Sequence, residues 1–131
     1  YGLNLKQHFE HANDDIMVAV QIEHHEGVDN IDAILKVKGV DAVFIGPYDL
    51  SASLGVTAQF DHPIYLEARN KVLDACDRYG IIPGIHVVQP EPIELLQRVK
   101  EGYRLLAYSL DITMLMDACE RGLGAIKQEL N

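Results

Sequence analysis

One pattern narrows the fold of this chain more than any other. A short β-branched or apolar run gives way to an amphipathic helical stretch, and it does so four times. The runs are MVAVQIE at 17–23, AVFIG at 42–46, IIPGIHV at 81–87 and RLLAYS at 104–109. Nearly continuous apolar strands of this kind belong to a parallel sheet covered by helices, since each return to a parallel strand needs a crossover. The helical stretches are 28–37, with Val28, Ile31, Ile34 and Leu35 on one face and Asn30 or Asp32 as its cap; a long helix opened by His62-Pro63 and closed by Gly80; 91–102, closed by Gly102; and 111–130, capped by Asp111. A short helix over 4–12 precedes them, and Pro83-Gly84 is read as an interruption of the third strand. Four βα units are half of a (β/α)8 barrel, which needs ~250 residues. A small doubly wound sheet fits the same periodicity, and the pattern alone does not separate the two.

The other bulk properties exclude classes of function. Twenty acidic residues against eleven basic ones give a net charge of −9, which argues against a nucleic-acid or anionic-membrane surface. An apolar fraction of 48% is ample for a packed core, and no run approaches the ~18–20 apolar residues of a membrane span. Cys76 and Cys119 form no CxxC and read as two reduced core thiols of a cytoplasmic protein. The polar, amphipathic start shows no secretory signal, and without an initiating Met the chain reads as one domain, or a piece of one.

In a parallel α/β architecture the site lies at the carboxyl ends of the strands. Gln21, Glu23, Tyr48, Asp49, His86, Tyr108, Ser109 and Asp111 fall there. Glu23 and Asp49 end adjacent strands, 26 positions apart. Two carboxylates in one mouth repel unless a cation neutralises them. Arg69, Arg78, Arg98 and Arg121 lie on helices and Arg104 at the amino end of its strand. A hard divalent ion is the economical solution; the alternative is an ion pair for Glu23 and a simple helix-capping role for Asp49. Gly46-Pro47 makes a stiff corner whose freed amides suit an anion. The six lysines all lie in helices or loops, which counts against a Schiff-base mechanism.

VQIE at 20–23, GVDAVFIGPYDLSASLG at 40–55, HPIYLEA, PGIHV and KEGYRLLAYSLD together resemble the metal-dependent (class II) pyruvate aldolases of the HpcH/HpaI type, which act on 4-hydroxy-2-oxoheptane-1,7-dioate and 2-dehydro-3-deoxyglucarate. The resemblance covers essentially the whole chain and implies the C-terminal half of a TIM barrel, strands five to eight, as a single domain unit over 1–131. It implies that Glu23 and Asp49 are the protein ligands of Mg²⁺, Mn²⁺ or Co²⁺. It further implies that Gln21 lines the pyruvate site and that the Tyr48 and Asp49 amides receive the substrate carboxylate. His86 is read as a substrate-binding residue at the rim. The reaction implied is reversible cleavage of a 4-hydroxy-2-oxo acid to pyruvate and an aldehyde through a metal-stabilised enolate. The alternatives are a citryl or malyl thioester lyase of the same superfamily and a non-catalytic half-barrel.

The resemblance places the family's catalytic base, a histidine oriented by aspartate, and its arginine in the other half, so no catalytic residue is assigned here and the chain alone is expected to be inactive. His24 and His25 read as solvated loop residues, and His8, His11 and His62 as surface or capping residues. Many relatives carry Gly-Ser-Asp after the last strand, where this chain has Ser109-Leu110-Asp111. The family also implies a small-molecule 2-oxo acid as partner and a homo-oligomer, commonly a hexamer with exchanged terminal helices.

Overall fold

The computed structural model describes residues 4–130. Its four strands, β1 (Ala19–Ile22), β2 (Ala42–Ile45), β3 (Ile82–Val87) and β4 (Leu105–Tyr108), form one parallel sheet in the order β1-β2-β3-β4. Order without reversal is that of a barrel segment, because a doubly wound sheet reverses direction at a switch point. Crossovers of one hand then put the helices on one face and leave the other bare. Pro83 and Gly84 do not interrupt β3; they pair with Val43 and Phe44 in an unbroken ladder.

The covered face holds the core. Ile22, Val43, Ile45 and Ile85 pack on Val28, Ile31, Leu35, Leu50, Tyr65, Val72 and Cys76. These come from α2 (His25–Asp29), α3 (Ile31–Leu35), α4 (Pro47–Ser53) and α5 (Pro63–Tyr79). Proline stands in the first turn of α4, α5 and α6 (Pro92–Lys100), where its missing N–H costs no intrahelical bond. The helix expected over 28–37 is two short helices. Asn30, at φ −98° and ψ 12°, breaks the run, its side-chain amide donates to Glu26 O at 2.8 Å, and Asp32 pairs with Arg78 at 2.7 Å instead of capping. That guanidinium holds the Asp32 carboxyl below its usual range.

The two ends depart most from expectation. α1 (Leu5–Asp15) and α7 (Asp111–Glu129) contain no buried residue. Gly122 and Gly124 weaken α7 by ~1 kcal/mol each relative to alanine, yet Ile112, Leu115, Met116, Leu123 and Ile126 stand exposed. Nothing among the described residues covers that face. Leu110, not Asp111, is the N-cap; Asp111 sits one residue inside, and its carboxylate accepts the Ile112 N–H at 2.8 Å.

Cys119 is exposed for the same reason, against the expectation of a core thiol, whereas Cys76, on the inner face of α5, is 1% exposed. Burial pushes the Cys76 thiol up to about 11. One thiol per chain is therefore expected to react with an aromatic disulfide reagent in native buffer, the second only in denaturant. Two fast thiols would mean that α5 does not pack as described. The folded thiol holds its proton more tightly than the unfolded one, whose value is 9.0. Its contribution to stability is thus intact below pH 9 and is lost as pH rises through about 11.

Candidate active site

The strand register sets the geometry of the mouth. Ile22, Ile45, Ile85 and Leu106 lie level across the sheet, and the first three point into the core. Successive strand residues face opposite sides, so the next row, Glu23, Gly46, His86 and Ala107, faces away from the helices. Below it runs a row of Gln21, Phe44, Gly84 and Leu105. The bare face of the sheet thus carries Gln21, Glu23 and His86 of the predicted polar groups.

Glu23 lies one residue beyond β1. The Gln21 amide donates to its Oε2 at 2.7 Å, which fixes the carboxylate. A Cβ on Gly46 would stand 3.3 Å from Glu23 Oε2 and 3.2 Å from Gln21 Nε2. Any larger residue at 46 would press on this pair, so glycine lets the carboxylate lie across the end of β2. Gly46 caps α4, and Leu50 N–H donates to its carbonyl at 2.9 Å. The amides of Tyr48 and Asp49, in the first turn, have no intrahelical acceptor. Asp49 stands in that same turn, exposed. Ser53 locks the two halves together: its Oγ accepts the His25 N–H at 3.0 Å and donates to Leu50 O at 2.8 Å. Ser51 Oγ donates to Tyr48 O at 2.8 Å and accepts the Ala58 N–H at 3.0 Å, holding the turn from behind.

No arginine or lysine pairs with Glu23 or Asp49 among the described residues. Arg69 and Arg98 pair with Glu101, Arg78 with Asp32 and Arg121 with Asp117. The ion-pair alternative for Glu23 therefore has no cation here. Glu23 just past β1, stiffened by Gln21, and Asp49 in the first turn of α4 are exposed carboxylates without a cationic partner among the described residues, donors of the kind that suit a hard divalent ion. The only group of three or more side chains with ligand atoms near one another, among the described residues, is His24, His25 and Glu26, within 4.8 Å. Its local role is structural as well: His24 caps α2 by accepting the Glu26 N–H, and the two rings lie 4.2 Å apart. Sequence reasoning left His24 as a solvated loop residue, whereas His62, read as a surface or capping residue, does cap α5 by accepting the Ile64 N–H.

His86 is half-buried on β3. Its Nε2 stands 3.1 Å from Ser109 O, and its ring lies 6.4 Å from Phe44. Ser109 is 7% exposed, adopts φ 58°, and its Oγ has no partner. A left-handed serine costs ~1 kcal/mol, and a glycine there would carry no such cost. Ser109→Gly is therefore expected to raise Tm by a few degrees, and an unchanged or lowered Tm would show that the conformation is not strained. Tyr48 is 38% exposed and edges onto Phe60 with ring centroids 5.0 Å apart. Tyr108 is half-buried on the helix side. A cavity of about 480 Å³ between α5 and α6 has Tyr48, His86, Arg69, Arg98 and Glu101 among its lining residues. Neither Glu23 nor Asp49 lines it.

The unreversed parallel sheet with helices on one face defines the class: an α/β protein of the barrel kind. The family model of the HpcH/HpaI aldolase/citrate lyase family matches residues 3–118, and the chain belongs to that family. It is 32% identical over 114 residues to 5-keto-4-deoxy-D-glucarate aldolase of Escherichia coli, covering 87% of this chain and 44% of the relative. Among solved structures it is similar to an HpcH/HpaI aldolase from Desulfitobacterium hafniense DCB-2, at 36% identity and a TM-score of 0.84, over 97% of this chain and 49% of that one. A family protein from Burkholderia cenocepacia J2315 is 33% identical with a TM-score of 0.87, over 97% and 48%. The chain spans about half the length of the relatives it matches.

Proposed function

We propose that this chain is the metal- and carboxylate-binding half of a divalent-metal-dependent aldolase that reversibly cleaves a 4-hydroxy-2-oxo acid to pyruvate and an aldehyde. The observation that carries this reading is the seating of the Glu23 carboxylate across Gly46, beside the Pro47-Tyr48-Asp49 turn. Glu23 and Asp49 would hold the ion, Mg²⁺, Mn²⁺ or Co²⁺. When bound, it supplies positive charge where the oxygens of the oxo acid gain electron density. Gln21 orients Glu23 through its 2.7 Å bond. The Tyr48 and Asp49 amides bind the substrate carboxylate, and Phe44 forms an apolar floor. The proton-transferring histidine and the arginine of the resemblance belong to the other half of the barrel.

The exposed apolar residues of α1 and α7 and the unpaired outer edges of β1 and β4 support a complement. We assign it to the other barrel half, as further chain or as a separate subunit, within a homo-oligomer. No described helix is long and apolar enough to cross a membrane, and a cytoplasmic location suits the two free thiols. The test is metal-dependent exchange of the pyruvate methyl protons and cleavage of free 4-hydroxy-2-oxo acids, each with and without a chelator. Both activities are expected from the completed barrel and neither from the 131-residue chain alone. Cleavage confined to citryl or malyl thioesters would move the protein to the lyase branch.

A further inference from the structure

The cavity between α5 and α6 is not part of the proposed ion site, since neither Glu23 nor Asp49 lines it. At about 480 Å³ it has the size of a pocket for a small organic molecule rather than for a lone ion. Three of its lining residues form an aromatic cluster. Tyr48 meets Phe60 edge-on with ring centroids 5.0 Å apart, and Phe60 lies 5.5 Å from Tyr65. Leu66 and Ile85 extend the apolar surface.

The charged lining is unevenly paired. Arg98 Nη1 donates to both Glu101 oxygens, at 2.8 and 3.1 Å, and Nη2 reaches Glu94 at 3.5 Å. Arg69 is left with a 3.5 Å approach to the same Glu101 and a 3.4 Å bond to Asn70 Oδ1. Its side chain is nevertheless only 15% exposed, and its buried Nε has no acceptor. The Tyr103 hydroxyl, fully buried, has no partner either. Burial pushes that phenol up, and the charges of Arg69, Glu101 and Arg98 all act on it, so the two orphan donors belong to one neighbourhood. Asp61, the remaining carboxylate of the lining, is exposed, where water and salt screen its charge. The interior charge without a close partner is therefore positive. A buried donor without an acceptor carries a cost that a ligand oxygen would relieve.

We propose that this cavity is a second ligand site, separate from Glu23 and Asp49, for an organic carboxylate with a flat apolar body. The carboxylate accepts the Arg69 Nε–H, a charge-assisted bond of the kind guanidinium groups make best. The body lies against Phe60 and Tyr65, where a planar group stacks or meets the rings edge-on. The site goes beyond the aldolase reading, and its occupancy is measured without turnover, so the two stand or fall separately.

The probe is benzoate, titrated calorimetrically into the metal-loaded, completed barrel, alone and with saturating pyruvate. One benzoate site per chain is expected, and pyruvate should leave it in place. Arg69→Met keeps the aliphatic stem and removes charge and donor, so it should weaken binding about 10–100-fold, the scale of a charged hydrogen bond. Arg69→Lys, which restores the charge alone, should fall between. Cyclohexanecarboxylate, with the same charge and no flat body, should bind more weakly than benzoate, and inorganic phosphate more weakly still. In the wild-type protein, the Arg69 Nε–H resonance should shift on adding benzoate, a readout that does not depend on a variant folding. Absence of benzoate binding, displacement by pyruvate, unchanged affinity in Arg69→Met or an unmoved Nε–H resonance would each overturn the proposal. Phosphate binding as tightly as benzoate would overturn it too, because the site would then read charge alone.

Discussion

Replacing Glu23 with glutamine or Asp49 with asparagine is expected to lower metal-dependent turnover of the completed enzyme by at least about 100-fold. Each change removes one formal charge from the proposed ion site. Neither residue supports the core: both are exposed, at the bare edge of the sheet. Far-UV circular dichroism and Tm should therefore stay near wild type while calorimetric titration with Mn²⁺ loses its heat. Gln21→Met supplies an internal scale. It deletes the 2.7 Å bond to Glu23 Oε2 but no ligand, and partners one shell out typically carry 10–100-fold in metal affinity. Gln21→Met should fall between wild type and the carboxylate variants. Normal turnover and normal Mn²⁺ binding in Glu23→Gln would mean that the ion, if any, sits elsewhere, and the His24, His25 and Glu26 group would be the next place to look.

The largest structural effect is expected at Gly84. A Cβ there would stand 2.6 Å from Val43 O, 3.0 Å from Leu105 O and 3.1 Å from Leu105 Cβ. Two of these atoms are backbone of the neighbouring strands, in the middle of the sheet, so no side-chain rotation relieves the clash. Overpacking of this kind costs about 1–3 kcal/mol for a single methyl group, which lowers Tm by several degrees or more in a domain of this size. Gly84→Ala should thus lower Tm clearly, and Gly84→Val should give little soluble protein. Gly122→Ala, where a Cβ meets nothing within 4 Å, is the matched control. Alanine is the better helix former by ~1 kcal/mol, so that variant should hold or raise Tm. Equal tolerance at both positions would contradict the parallel register of β2, β3 and β4.

The comparison also shows why glycine was legible at some positions and opaque at others. Gly46 sits in a motif whose strand and Pro-led helix could be read from neighbouring residues. Gly84, beside Pro83, looked like an interruption because both residues are poor strand formers. The sheet tolerates them because the proline carbonyl still accepts the Arg104 N–H at 2.9 Å and a residue without a side chain fits between two backbones. Neither compensation is local, so no reading of the window 81–87 could have found it.

The same division runs through the protein. Local chemistry determined that four strands alternate with helices, that proline opens the long helix, and that Gln21, Glu23, Asp49 and His86 arrive at or just past strand ends. These follow from side-chain periodicity and backbone sterics within a few residues. Tertiary structure alone decided the unreversed strand order, which gathers the helices on one face and bares the other. It also decided the register that sets Glu23, Gly46 and His86 level, the left-handed turn at Ser109 that aims a carbonyl at His86, and the lack of any cover for α7. Each depends on contacts between segments twenty or more residues apart, where pairing geometry and available surface, rather than propensity, set the outcome.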